Sequence, residues 1–143
     1  MSIEILLVED SPSDADLAIE ALRKSKVLNH VHVVEDGVEA IAFVRHQGDY
    51  INHPRPDLIL LDLNLPRKNG REVLAELKSD PDLASIPIIV LTTSSAEEDI
   101  RSAYSLHANC YLIKPVNLEQ FMILIKAIED FWLAAVKLPP RRT

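Results

Sequence analysis

Five residues that could do chemistry each follow a short apolar run. Glu9 and Asp10 follow Ile3 to Val8, Asp62 follows Leu58 to Leu61, Thr92 follows Ile88 to Leu91, and Lys114 follows Tyr111 to Ile113. Runs of this length, rich in Val, Ile and Leu, read as strands, which places all five residues at strand carboxyl ends. Three carboxylates brought to one edge of a sheet repel one another until a cation joins them. A hard divalent ion with oxygen ligands, Mg²⁺, meets that need with a few carboxylates, waters and phosphate oxygens. Lys114 adds a point charge able to meet a phosphoryl oxygen. Each residue alone has a plainer reading, because an Asp at a strand end is commonly a solvated cap and a Lys before proline is commonly surface. All five at strand ends that one fold brings into a single cleft favour function.

The elements that must position these residues are legible as alternating patterns. Strands are expected at Ile3 to Val8, Val31 to Val34, Leu58 to Leu61, Ile88 to Leu91 and Tyr111 to Ile113. Their mostly continuous apolar character suits strands covered on both faces, as in a parallel sheet flanked by helices. Ser13 is placed to cap a first helix carrying Leu17, Ala18, Ala21 and Leu22, with Arg23 and Lys24 at its negative end. Val38 to Val44 repeats the helical pattern after Gly37. Gly70 precedes a third helix with Val73, Leu74 and Leu77, and both glycines read as turn residues. Ser95 opens a fourth helix with Glu97, Glu98 and Asp99 in its first turn. A last helix runs from about Leu118 to Val136 and stops at Pro139-Pro140. Strand and helix alternating five times imply right-handed crossovers and an open, doubly wound sheet, in which ligands bind at strand carboxyl ends beside the topological switch point.

Composition narrows the function. A chain of 143 residues suits one domain, expected over 1–138, followed by a short basic tail at 139–143. With 48% apolar and 26% charged residues it can bury an ordinary core. A formal charge of -7 lacks the basic footprint of a nucleic-acid surface, so no direct nucleic-acid partner is expected. No apolar run reaches membrane-spanning length, and the single Cys110 cannot form an internal disulfide. The start has no signal-peptide pattern, which leads to the expectation of a cytoplasmic protein. The five histidines, His30, His32, His46, His53 and His107, lack metal-ligand spacing, and the three glycines form no phosphate loop.

Glu9-Asp10, Leu60-Leu61-Asp62-Leu63-Asn64-Leu65-Pro66, Leu91-Thr92-Thr93 and Lys114-Pro115 together resemble the response-regulator receiver family over nearly the whole chain. The resemblance implies a flavodoxin-like α/β fold, a doubly wound sheet of five parallel strands in the order 2-1-3-4-5 with five helices. It implies Asp62 as phosphoacceptor, with Asp10, Asp62 and the Asn64 backbone carbonyl as Mg²⁺ ligands and Glu9 supporting the metal through water. Thr92 and Lys114 would contact the phosphoryl group, Tyr111 would turn inward when Thr92 moves, and the Lys114–Pro115 bond would be cis. A sensor histidine kinase would be the donor and the chain itself no enzyme beyond its own phosphorylation and dephosphorylation.

Asp62 to Leu74, Thr92-Thr93-Ser94, the roomy loop before Pro56 and Phe131-Trp132-Leu133 are similar to the cyanobacterial phytochrome-associated response regulators. That likeness implies a light-sensing kinase as partner. Asn69 stands where the family often has an acid, and His107 and Cys110 where glycine is frequent, which touches turn shape rather than chemistry. The last helix carries more apolar positions than one stripe requires, Phe131 and Trp132 among them. A homodimer through the fourth helix, fifth strand and last helix is the expectation, against the alternative that these turns fold back on the domain. An aspartyl-phosphate phosphatase of similar fold is the other reading. Such enzymes want an acid two residues after the nucleophile, where this chain has Asn64.

Overall fold

The computed structural model describes residues 2–26, 28–92, 100–101, 110–113, 119, 122–123, 125–126 and 129–130. Its strands are β1 (Ser2–Val8), β2 (Leu28–Val34), β3 (Leu58–Leu61), β4 (Ile88–Thr92) and β5 (Cys110–Ile113). All neighbouring pairs are parallel and the order is β2-β1-β3-β4-β5, as the sequence implies. Among the described residues the helices are α1 (Pro12–Arg23), α2 (Gly37–Val44) and α3 (Gly70–Ser79), with further helical residues at 100–101 and at 119, 122–123, 125–126 and 129–130. The expected start of a fourth helix at Ser95 lies outside the described residues, as do Phe131, Trp132 and the tail.

Alternation along the strands divides the core in two. Leu6 and Val8 of β1, Ile59 and Leu61 of β3 and Ile88 and Val90 of β4 point to the face covered by α2 and α3, where Phe43, Val73, Leu74 and Leu77 meet them. Ile3, Ile5 and Leu7 with Leu58 and Leu60 point to the other face, covered by Ala15, Ala18, Ala21 and Leu22 of α1 and by Ile125. Burying one such aliphatic side chain contributes about 1.5–3 kcal/mol, so two full layers suffice to hold the plate between them. The last helix is tied down by Glu129, whose Oε2 accepts from the Ser25 hydroxyl at 2.8 Å and from the Lys26 N–H.

The structure moves three helix starts. Ser11, not Ser13, caps α1: its Oγ accepts from the Asp14 N–H, and Pro12 occupies the first turn. Proline has no N–H to satisfy and a φ already suited to a helix, which fixes the start one residue after Ser11. Gly37 and Gly70 are first helical residues rather than turn residues, capped by Asp36 and Asn69. Asn69 and Glu72 form a reciprocal capping box, so the amide does what the family's frequent acid would do at that place. β2 is also longer than its apolar stretch, because Leu28, Asn29 and His30 pair with Ser2, Ile3 and Glu4 even though Asn29 and His30 are polar.

Candidate functional site

β1 and β3 are adjacent, and the helices that follow them, α1 and α3, leave on opposite faces of the sheet. Their carboxyl ends therefore form the open cleft of a switch point. The ladder runs to the last residue on each side: the Glu9 N–H donates to the Val34 carbonyl at 3.0 Å, and the Asp62 N–H to the Val8 carbonyl at 3.1 Å. Glu9, Asp10 and Asp62 are thus brought together, as the sequence predicts. Each offers a carboxylate oxygen, all within 4.8 Å of one another, with Glu9 and Asp62 buried and Asp10 exposed. Two oxygens on opposite sides of one Mg²⁺ stand roughly 4.2 Å apart, twice the usual bond of about 2.1 Å, so the trio fits a divalent cation after a small closure.

The loop from β3 to α3 holds the cluster from the other side. The Asn64 N–H donates to Asp62 Oδ1 at 3.0 Å, fixing that carboxylate. The Gly70 N–H donates to the Leu63 carbonyl at 3.0 Å. A Cβ built on Gly70 would stand 2.3 Å from the Asp62 carbonyl oxygen, so only glycine lets α3 begin directly beneath the acidic strand end. Across β1, the Ser11 N–H donates to Glu9 Oε2 at 3.2 Å, which orients the most buried carboxylate. Ser11 and Gly70 did not emerge as site residues from the sequence. The Ser-Pro pair after Glu9-Asp10 and the Asn-Gly before α3 were the available signals, since a cap and a close approach both require particular residue types.

Thr92 ends β4 and Tyr111 lies in β5, paired with Val90. Thr92 therefore ends the strand beside that of Asp62 and Tyr111 lies one strand further out, and the side chains of both lie outside the described residues. Lys114, and with it the expected cis bond to Pro115, also lies outside them. The histidines go elsewhere: His30 Nδ1 and His32 Nε2 stand 3.4 and 3.3 Å from the two oxygens of Glu4, and His53 packs edge-on against Phe43 and Tyr50. Among the described residues no helix is long and apolar enough to cross a membrane.

A five-stranded doubly wound sheet with an acidic trio at the switch point agrees with the family match, in which residues 5–126 fit the model of the response regulator receiver domain. The chain belongs to the response-regulator receiver family. Within it, the chain is 53% identical over 135 residues to response regulator Rcp1 of Synechocystis sp., covering 94% of this chain and 92% of that protein. It is 40% identical to the probable methanogenesis regulatory protein FilR2 of Methanothrix harundinacea, covering 90% of this chain and 83% of that protein. Among solved structures it resembles the phosphorylated cyanobacterial phytochrome response regulator RcpA, with 54% identity, a TM-score of 0.91 and coverage of 98% and 100%. The Mn²⁺-bound form of Rcp1 is similar at 52% identity, TM-score 0.88 and coverage of 96% and 99%.

Proposed function

We propose that this receiver takes a phosphoryl group on Asp62 from the phosphohistidine of a sensor kinase, and that the kinase is a cyanobacterial phytochrome. The observation that carries the reading is the gathering of Glu9, Asp10 and Asp62 within 4.8 Å at the ends of β1 and β3. Phosphoryl transfer demands alignment and charge neutralisation more than a general acid. An Asp62 carboxylate oxygen attacks phosphorus, the phosphorus–nitrogen bond breaks, and the kinase imidazole leaves with the electron pair and takes a proton. Asn64 holds Asp62 for that attack through its N–H. Asp10, Asp62 and the Asn64 backbone carbonyl would hold Mg²⁺, with Glu9 in support, and the ion would supply positive charge to the phosphate oxygens. The family resemblance supports Thr92 and Lys114 as contacts to the phosphoryl group and Tyr111 as the aromatic coupled to Thr92.

The partner reading rests on the phytochrome response regulators that the chain resembles, among them RcpA. A homodimer through the fourth helix, fifth strand and last helix is part of the proposal. Its support is the apolar surplus of the last helix in the sequence, Phe131 and Trp132 included; of the described exposed positions on that helix, Ile123 is apolar, whereas Glu119, Lys126 and Asp130 are charged. A cytoplasmic location is part of the same proposal.

Acetyl phosphate with Mg²⁺ is expected to add one base-labile phosphoryl group, visible as a single mass increment on the intact protein. Asp62→Asn is expected to abolish it. Equal labelling of the variant would remove the site assignment.

A further inference from the structure

Arg67, five residues beyond Asp62, sits in a turn that residues with side chains seldom adopt. Its φ is 65°, and the Lys68 N–H donates to the Pro66 carbonyl at 2.7 Å, closing a three-residue turn centred on Arg67. This left-handed γ-turn is the rarer and more strained kind. Glycine would take that φ freely, so the side chain itself must be of use here. Its Nη1 stands 3.2 Å from Oδ2 of Asp36. Asp36 is buried, and its Oδ1 accepts from the Glu39 N–H at 2.8 Å, capping α2. An exposed guanidinium is thus anchored to a carboxylate that the fold already holds.

An ion pair with one exposed partner contributes little stability, so its value lies in where it acts. The turn lies in the same loop as Asn64, whose N–H holds the Asp62 carboxylate. Beside Asp36, Gly37 meets the Lys68 carbonyl so closely that a Cβ would stand 2.0 Å from it. The loop after β3 is therefore seated on the corner after β2 by backbone contact and locked there by one ion pair.

We propose that Arg67 is a positioning residue for the cation site, pairing with Asp36 to pin the loop that presents Asn64 to Asp62. The inference rests on the reading of Glu9, Asp10 and Asp62 as a divalent-cation site. Charge alone would act differently: removing Arg67 would favour a nearby cation and removing Asp36 would disfavour it. Positioning makes both losses harmful.

Calorimetric titration with Mg²⁺ separates the two. Arg67→Gly keeps the φ and removes the pair, and Asp36→Asn keeps a capping oxygen and removes the charge. Each is expected to raise the Mg²⁺ dissociation constant roughly tenfold, as loss of a ligand's supporting partner does. The double variant is expected to be no weaker than the weaker single, and Arg67→Lys to recover most of the affinity. Should Arg67→Gly fail to melt cooperatively, Arg67→Gln carries the same expectation. Unchanged or tighter binding by the Arg67 variants, or losses that add in the double variant, would overturn the proposal. Wild type that ignores Mg²⁺, or Asp62→Asn that binds it equally well, would overturn the site reading itself and the proposal with it.

Discussion

At the corner where α2 packs on the sheet, side chains meet neighbours of the same fold, mostly ring against ring, and His53 Nδ1 is buried there without a hydrogen bond among the described residues. The Tyr50 hydroxyl donates to Glu39 at 2.9 Å, and the rings of His32, Phe43, Tyr50 and His53 interlock at centroid distances of 5.2 to 5.9 Å. At the carboxyl ends of β1 and β3, the chain instead draws three acids together and buries two of them. The first region uses polarity to specify packing, and the second holds like charges close for a cation to join. On the proposed reading, the difference separates a corner that serves stability from an edge that serves chemistry.

The comparison breaks most visibly at Phe43, which is 1% exposed in the larger core. Phe43→Ala is expected to cost about 3–5 kcal/mol in urea unfolding while leaving acetyl phosphate labelling of the folded fraction intact. A lost label at unchanged stability would mean that the two regions are not separate. The acidic edge gives the next effect. At free Mg²⁺ about ten times its dissociation constant, linkage is expected to add roughly 1.4 kcal/mol to wild type. Asp10→Asn should lose most of that gain while matching or exceeding wild-type stability in chelator. If the variant unfolds more easily without metal, Asp10 belongs to the stabilising class and the contrast fails.

The smallest effect is at Tyr50. Tyr50→Phe removes one hydrogen bond and is expected to cost about 1 kcal/mol near neutral pH. Burial first, then the hydrogen bond and charge of Glu39, push the Tyr50 hydroxyl from its ordinary value of 10 up to about 12. The folded state thus keeps a proton that the unfolded chain releases, so this contribution is whole below pH 10 and is lost between pH 10 and about 12. Lys78 acts in the opposite sense: burial lowers its ammonium below 10.5, so stability rises with pH between that lowered value and 10.5. Urea midpoints at pH 9 and 11 should fall less for Tyr50→Phe than for wild type. Equal falls would show that Tyr50 does not carry the alkaline limb.

The same two regions differ in how far they could be read from residues. Asp10 and Asp62 were legible because apolar runs end abruptly in acids, and buried parallel strands leave no other reading for such runs. Phe43 and Val44 were legible as part of a helix, but the aromatic corner was not, because Tyr50 and His53 come from the irregular loop before Pro56. A loop that contains a short 3₁₀ turn at Gly48–Tyr50 and a left-handed His46 carries no periodicity to follow. β2 was cut short at Val31 because an edge strand can carry Asn29 and His30 and still pair through its backbone. Gly37 and Gly70 were misread for a related reason. Their smallness serves backbone contacts across the fold, which local pattern does not register. The roles expected of Thr92 and Tyr111 came through family likeness, whereas the charge of Lys114 at a strand end was already legible as a phosphoryl contact.

The seating of α3 under Asp62 has a mechanical consequence. With Gly70 pressed against the carbonyl of Asp62, helix and strand end move as one piece and leave no slack between them. A displacement of that strand end is therefore passed directly to the start of α3.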